Sequence, residues 1–394
     1  MMITVGIDAM NFYTSHYYLD LKTLADARGL EVNKFYVGLG QRKMAVMTHD
    51  EDVVSMAADA ARRVLRNVDL NDIELLLFAT ESGIDQSKAA GIFVHKLLGL
   101  PSRCRVLELK QACYSATAGL QMGLRMLLQN PQKKILLIAS DIARYGLNTS
   151  GESSQGGGAV AMVLSANPRL LQIELESGFY TEDVMDFWRP NYREEALVEG
   201  KYSCELYLKV LQKTWQQYKG LSGRQFQDHA RFCYHVPMPR LVEKAHRLLL
   251  KHNGLDDVSE EASRLQVYES LIYGREVGNC YTASLYLALL SLLEQAHDDL
   301  TLQRIGLYSY GSGCVGEFFS AVVQPGYRSL LDTDYHQNLL SNRCPLTQSE
   351  YEAFYHLPSP MDGGHCVMPV HQKGHYRLSA INKHKRIYQA VEPL

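Results

Sequence analysis

Cys113 lies between a short extended segment at 107–109 and a run of small residues, Ser115-Ala116-Thr117-Ala118-Gly119, that opens a helix. The helix is expected to continue to about Asn130, where Pro131 stops it. Orphan amides and the positive end of a helix dipole favour a thiolate at such a place. A thiolate there is a nucleophile, and the same amides can hold an oxyanion. The competing reading is a small buried hydrophobe. Glu81 follows the apolar run 73–80, a pattern typical of a strand buried on both faces. A carboxylate just past such a strand sits where α/β proteins form ligand sites, with a helix cap or surface acid as its alternative. His235 ends a short strand at 230–234, and Pro237 stiffens the turn after it. Its rival role is that of a satisfied structural histidine.

Positioning these residues calls for layers of helices on buried strands. Residues 3–7 read as a first strand. The segment 51–67 carries Val53, Val54, Met56, Ala57, Ala60, Ala61, Val64 and Leu65 at helical spacing. Further strands are expected at 73–80, 103–108, 135–141 and 159–164, with helices at 86–98 and 115–130. The second half repeats the first in outline: helices at 202–218, 241–252 and 281–294, and strands at 230–234, 305–310 and 315–323. The helix at 281–294 again starts on small residues, Thr282, Ala283 and Ser284. The two halves are taken as 1–166 and 167–394. The glycine-rich loop at 148–158 lacks the GxxxxGK[ST] pattern and opens no helix, which argues against a phosphate cradle. The stretch 179–190 is aromatic and acidic without a clear period and reads as irregular surface or lid. Beyond Asp332 the pattern is not readable.

A chain of 394 residues is long enough for a large core in two similar lobes. Its formal net charge of −3 carries no basic bias, which argues against a nucleic-acid partner. No apolar run spans a bilayer, and the start lacks the cationic and apolar regions of a signal peptide. The eight cysteines, Cys104, Cys113, Cys204, Cys233, Cys280, Cys314, Cys344 and Cys366, include no CxxC pair. Scattered thiols of this kind argue against a zinc site or disulfide framework and for a reducing, cytoplasmic setting.

Seven stretches then agree in order: Ala79-Thr80-Glu81-Ser82, Gln111-Ala112-Cys113-Tyr114-Ser115-Ala116-Thr117, Ser140-Asp141-Ile142-Ala143-Arg144-Tyr145, the run from Tyr180 to Pro190, His235-Val236-Pro237, Gly278-Asn279-Cys280-Tyr281-Thr282 and Tyr310-Gly311-Ser312-Gly313. Together they resemble the bacterial hydroxymethylglutaryl-CoA synthases, most strongly from the start of the chain to about Val323. The resemblance implies an α/β thiolase-like fold, duplicated five-stranded sheets with helices in an αβαβα sandwich, and a homodimer. It implies condensation of acetyl-CoA with acetoacetyl-CoA and water to hydroxymethylglutaryl-CoA and CoA, an early step of the mevalonate route to isoprenoids. CoA thioesters are then substrates, and neither cofactor nor metal is expected.

By the same resemblance Cys113 takes the acetyl group, Glu81 removes a proton from its methyl, and His235 holds the ketone of acetoacetyl-CoA. The backbone N–H groups of Cys113 and Ser312 are the implied oxyanion donors. Asn279 and Ser312 match substrate-contacting positions. Ser154, Ser203 and Lys244 match positions along the acyl chain or CoA arm, while Tyr145 and Tyr310 would line the pocket. The chain departs from the family pattern at Gly83, at Ser115 where glycine is common, and at Ser153-Ser154 where a Pro-Thr pair is common. None of these replaces a member of the Glu-Cys-His set. The nearest alternative keeps the fold and the set but takes acyl groups from a carrier protein, as β-branching synthases of polyketide assembly do. The absence of an obvious Lys/Arg cluster ranks it second. Ketoacyl synthases and thiolases pair the cysteine with other residues, and a dead scaffold would be expected to have lost one of the three.

Overall fold

The computed structural model describes residues 3–356, 362–371 and 373–391. The first two and last three residues, which the two expected halves include, lie outside the described residues.

In the first half, β1 (Val5–Tyr13), α1 (Val53–Val64), β2 (Ile73–Ala79), α2 (Ala90–Leu97), β3 (Arg105–Leu109), α3 (Ser115–Gln129), β4 (Lys134–Ala143) and β5 (Gly156–Ala166) follow one another. The second holds β6 (Leu171–Ile173), β7 (Gly178–Thr181), α4 (Gly200–Ser222), β8 (Arg231–Tyr234), α5 (Pro239–His252), α6 (Glu260–Val277), α7 (Ser284–Gln295), β9 (Arg304–Gly311) and β10 (Val315–Val323). The chain end adds α8 (Thr333–Ser341), α9 (Gln348–Tyr355) and a hairpin of β11 (Tyr376–Asn382) and β12 (Lys385–Ala390).

The strands lie in the order β3-β2-β4-β5-β1, continued by β6-β10-β9-β8. β2 is parallel to β3 and β4, and β5 is antiparallel to β4 and β1. The second set repeats the scheme: β8 is parallel to β9, β10 is antiparallel to β9, and β6 and β7 together pair along β10. The sets join where Gly6 and Ile7 of β1 face Gln172 and Leu171 of β6.

The repeat extends to the loops that matter most. The Gln111 N–H donates to Ser115 Oγ at 2.5 Å, and the Cys280 N–H donates to Ser284 Oγ at 3.0 Å. The residue after each donor has a positive φ, 43° at Ala112 and 44° at Tyr281. Thr282 therefore occupies in the second half the place of Cys113 in the first.

Small residues let α3 sit deep. A Cβ at Gly119 would come within 2.9 Å of Leu137, and one at Gly123 within 3.0 Å of Leu164. α7 is buried from Ser284 to Glu294, and the two helices meet where Thr117 Oγ1 bonds the Tyr286 hydroxyl at 2.8 Å. α6, which hydrophobic periodicity does not reveal, buries only a narrow stripe that includes Ser263, Val267, Ser270 and Leu271. The chain end, whose pattern the sequence leaves unreadable, is helical and β-structured among the described residues. Leu346 and Tyr351 pack on Leu19, Leu21, Leu24 and Phe35.

Candidate active site

Glu81 lies two residues beyond β2, Cys113 between β3 and α3, and His235 directly after β8. The turn that follows β9 closes on the cysteine loop. A Cβ at Gly311 would meet the Tyr114 nitrogen at 2.6 Å, and Gln111 Nε2 donates to the Ser312 carbonyl at 3.1 Å. His235 joins the same end of the sheet, since its N–H donates to the Tyr308 carbonyl at 2.8 Å, three residues before Gly311.

Cys113 Sγ donates to Glu81 Oε1 at 2.9 Å. Burial, with the nearby Asp141, raises the Glu81 carboxyl to about 8, against the pull of the Cys113 hydrogen bond and Arg189. Burial and the Glu81 carboxylate push the Cys113 thiol well above its ordinary value. This differs from the thiolate that the helix terminus favours: in the hydrogen bond the sulfur is the donor and Glu81 the acceptor. His235 is 3% exposed, and burial lowers its imidazole to about 3. Its Nδ1 is buried with no hydrogen-bond partner among the described residues. The Tyr207 hydroxyl holds its carbonyl at 2.8 Å.

Two buried carboxylates that sequence reading did not single out fix this geometry. Asp141 Oδ1 accepts from the Glu81 and Ser82 N–H groups, both at 2.9 Å, and from the Thr80 hydroxyl at 2.8 Å. Its Oδ2 accepts from the N–H and hydroxyl of Thr282, so it ties the Glu81 loop to the second half. The available signal was a carboxylate inside a continuous apolar strand, which must be paired to be buried. Asp186 accepts from the Tyr310 hydroxyl at 2.8 Å, the Ser203 hydroxyl at 2.9 Å and the Gly313 N–H at 2.8 Å. Its irregular aromatic stretch gave no such signal.

Of the other expected site residues, Tyr145 and Asn279 stand beside the pair. Burial pushes the Tyr145 hydroxyl up, and Tyr281, Cys113, Glu81 and Asn279 all stand close enough to act on it. The rings of Tyr145, Phe187 and Tyr281 form a wall with centroids 5.7–6.3 Å apart. Asn279 Oδ1 accepts from the Tyr281 N–H and the Ser284 hydroxyl, each at 2.9 Å. Tyr310, Ser203 and the Ser312 turn gather on Asp186. Ser154 and Lys244 are not drawn in: the Ser154 hydroxyl donates to the Gly151 carbonyl at 2.8 Å, and Lys244 is exposed on α5, where its charge reaches Cys204. Tyr145 also borders an open cleft of about 490 Å³, lined in part by Thr149, Arg193, Val198 and Tyr355. Among the described residues no group of His, Cys, Asp and Glu is arranged to hold a metal ion, and no helix is long and apolar enough to cross a membrane.

The model of the hydroxymethylglutaryl-coenzyme A synthase N-terminal region matches residues 2–169, and that of the C-terminal region matches 250–361. The hydroxymethylglutaryl-CoA synthase of Enterococcus faecalis is 40% identical over 387 residues, 98% of this chain and 100% of that protein. The polyketide biosynthesis 3-hydroxy-3-methylglutaryl-ACP synthase of Bacillus subtilis is 36% identical, over 90% of this chain and 88% of that protein. A crystal structure of an HMG-CoA synthase complexed with CoA superposes with a TM-score of 0.93 at 38% identity, covering 98% of this chain and 100% of that one. A structure of MvaS in complex with 3-hydroxy-3-methylglutaryl coenzyme A gives 0.91 at 37% identity, covering 100% of both chains.

Proposed function

Since the chain belongs to the hydroxymethylglutaryl-CoA synthase family, we propose that it condenses acetyl-CoA with acetoacetyl-CoA and water, yielding (3S)-3-hydroxy-3-methylglutaryl-CoA and free CoA for the mevalonate route to isoprenoids. The observation that carries this reading is the 2.9 Å contact between Cys113 Sγ and Glu81 Oε1. A nucleophile and a base share one proton inside a site whose walls come from both halves of the chain.

Cys113 attacks the acetyl-CoA carbonyl, its proton leaves with CoA as the free thiol, and the acetyl group stays as a thioester. Glu81, no longer bonded to a thiol, then removes a proton from the acetyl methyl. The carbanion attacks the ketone carbon of acetoacetyl-CoA. Backbone N–H groups of Cys113 and Ser312 hold the thioester oxygen as it gains charge. His235 meets the ketone oxygen as a neutral imidazole and gives the forming alkoxide a proton, which makes the 3-hydroxyl, and the proton that Glu81 took from the methyl restores the imidazole by way of solvent. Water finally cleaves the Cys113 thioester. Asn279, Tyr145 and Tyr310 shape the acyl pocket; Ser203, Ser154 and Lys244 are assigned to the CoA arm by the family likeness alone, since Ser154 and Lys244 stand apart from the Glu81–Cys113 pair. No step calls for a cofactor.

We also take the boundary between the two repeated halves near residue 166 and assign the protein to the cytoplasm as a homodimer. The dimer is supported by β3, an edge strand whose Leu107 is 53% exposed, and by the exposed apolar side chains Ile92 and Met122 on α2 and α3, the helices that contact it. The likeness to the Bacillus subtilis synthase keeps a carrier-protein donor as the second reading. Intact-protein mass spectrometry after mixing with acetyl-CoA alone separates the two. One acetyl group mapped to Cys113, discharged by acetoacetyl-CoA, supports the CoA reading. Acetylation only from an acetylated carrier protein supports the second, and none from either donor removes both.

A further inference from the structure

The chain end reaches the site from outside. The Tyr145 carbonyl accepts from the Tyr355 hydroxyl at 2.6 Å, and the Tyr145 N–H donates to Gln155 Oε1 at 2.8 Å. Gln155 is itself held, because its Nε2 donates to the Tyr351 hydroxyl at 2.7 Å. Both polar groups of the Tyr145 backbone are thus anchored through one helix, α9. That helix is fastened in turn: Arg28 bridges Glu152 and Glu352 at 2.7 and 3.0 Å, and the Arg144 guanidinium lies 4.4 Å from the Tyr355 ring centre. The loop so held contains Gly146 and Gly151. A Cβ at Gly151 would come within 2.8 Å of the Tyr145 ring, so glycine makes room for the ring.

We propose that α9 is a positioning strap for Tyr145, with Tyr355 and Tyr351 as positioning residues that set where its hydroxyl stands against Glu81, Cys113 and Asn279. The proposal rests on the acyl-transfer reading of that site.

The test uses Tyr355→Phe and Tyr351→Phe, each made alone and in a Tyr145→Phe background. Both changes delete one hydroxyl and keep the ring, so the packing of α9 on Leu21 and Leu24 is retained. Losing one such hydrogen bond is expected to lower kcat for condensation roughly five-fold, with KM for acetyl-CoA little changed. In the Tyr145→Phe background the same changes are expected to cost nothing further, because residues acting through one group are not additive. Equal losses in both backgrounds would overturn the strap, since the hydroxyls would then support the fold at large. Unchanged kcat in both single variants overturns it as well. If one variant folds poorly, judged by its melting temperature, the other still decides. Failure of the parent protein to acetylate Cys113 would sink the acyl-transfer reading instead, a result visible by mass spectrometry before any variant is made.

Discussion

Cys113 and Glu81 meet at 2.9 Å, and the effect between them runs one way: the carboxylate pushes the thiol up, while burial and Asp141 push the carboxyl up against the pull of the thiol's hydrogen bond. Removing Glu81 relieves the thiol and removes the base. Glu81→Ala is therefore expected to retain acetylation of Cys113 from acetyl-CoA and to lose condensation by about 10³-fold or more. Acetyl-enzyme formation by mass spectrometry and product formation by CoA release measure the two steps separately. Normal condensation by this variant would remove Glu81 as the base.

The raised carboxyl also sets a pH dependence. Glu81 is a base only when ionised, so condensation by pre-acetylated enzyme is expected to climb as pH rises from 6 to 8 and beyond, because acetylation removes the thiol hydrogen bond that pulls the carboxyl down. Stability runs the other way. A carboxyl raised from 4.5 to about 8 binds its proton more tightly when folded, so its ionisation costs stability that is absent below pH 4.5 and fully felt above 8. Glu81→Gln should melt higher than the parent by about 2 °C or more at pH 8.5, and by little at pH 5. A constant difference across that range would show that the carboxyl is not raised.

Local patterning revealed much of this frame. The helix after Cys113, expected at 115–130, runs Ser115–Gln129, and the buried strand before Glu81 runs Ile73–Ala79. Both depend on neighbours in sequence: small residues that let a helix sink, and a run of apolar ones. What sequence hid depends on groups that meet only in the fold. The thiolate expected at Cys113 follows from the nearby helix terminus, but the opposing charge arrives from the end of β2. Asp186 gathers Ser203 from α4 and Tyr310 and Gly313 from the end of β9 and its turn. α6 and α9 bury too narrow a stripe for periodicity to expose them.

Asp141 is the pin between the halves, since it accepts from Glu81 and Ser82 on one side and Thr282 on the other. Asp141→Asn turns an amide N–H₂ toward at least one set of donors and leaves them unpaired in a buried place. A loss of about 1–3 kcal/mol in stability is expected, with a drop in kcat of roughly 10²-fold as the Glu81 loop shifts. Denaturant melts and steady-state rates test both, and wild-type values of either would show that Asp141 does not hold Glu81.

His235 works with a group pushed down to about 3, so it is neutral across any ordinary assay range and has no imidazolium to lose. The pH profile of condensation should therefore show no inflection from His235 between 5 and 7.5. His235→Asn is expected to lower kcat/KM for acetoacetyl-CoA by about 10²-fold or more while acetylation of Cys113 stays near the parent level. An acid limb near pH 6.5 that disappears in His235→Asn would mean that the imidazole is solvated and titrating in the working enzyme.

Among the described residues β3 is the edge strand of the sheet, and Leu107 projects from it at 53% exposure. An open edge of that kind invites another strand, and in the homodimer proposed above a second copy of the same edge would meet it by two-fold symmetry. The consequence reaches the site, because β3 leads straight into the Cys113 loop. Leu107→Arg places a charge where two copies would meet and is expected to convert a dimer to a monomer in sedimentation equilibrium. Condensation should fall with it by roughly ten-fold, as the loop after β3 loses its support. A parent protein that sediments as a monomer at micromolar concentration would remove this interface, and a dimer that survives Leu107→Arg would place the contact elsewhere.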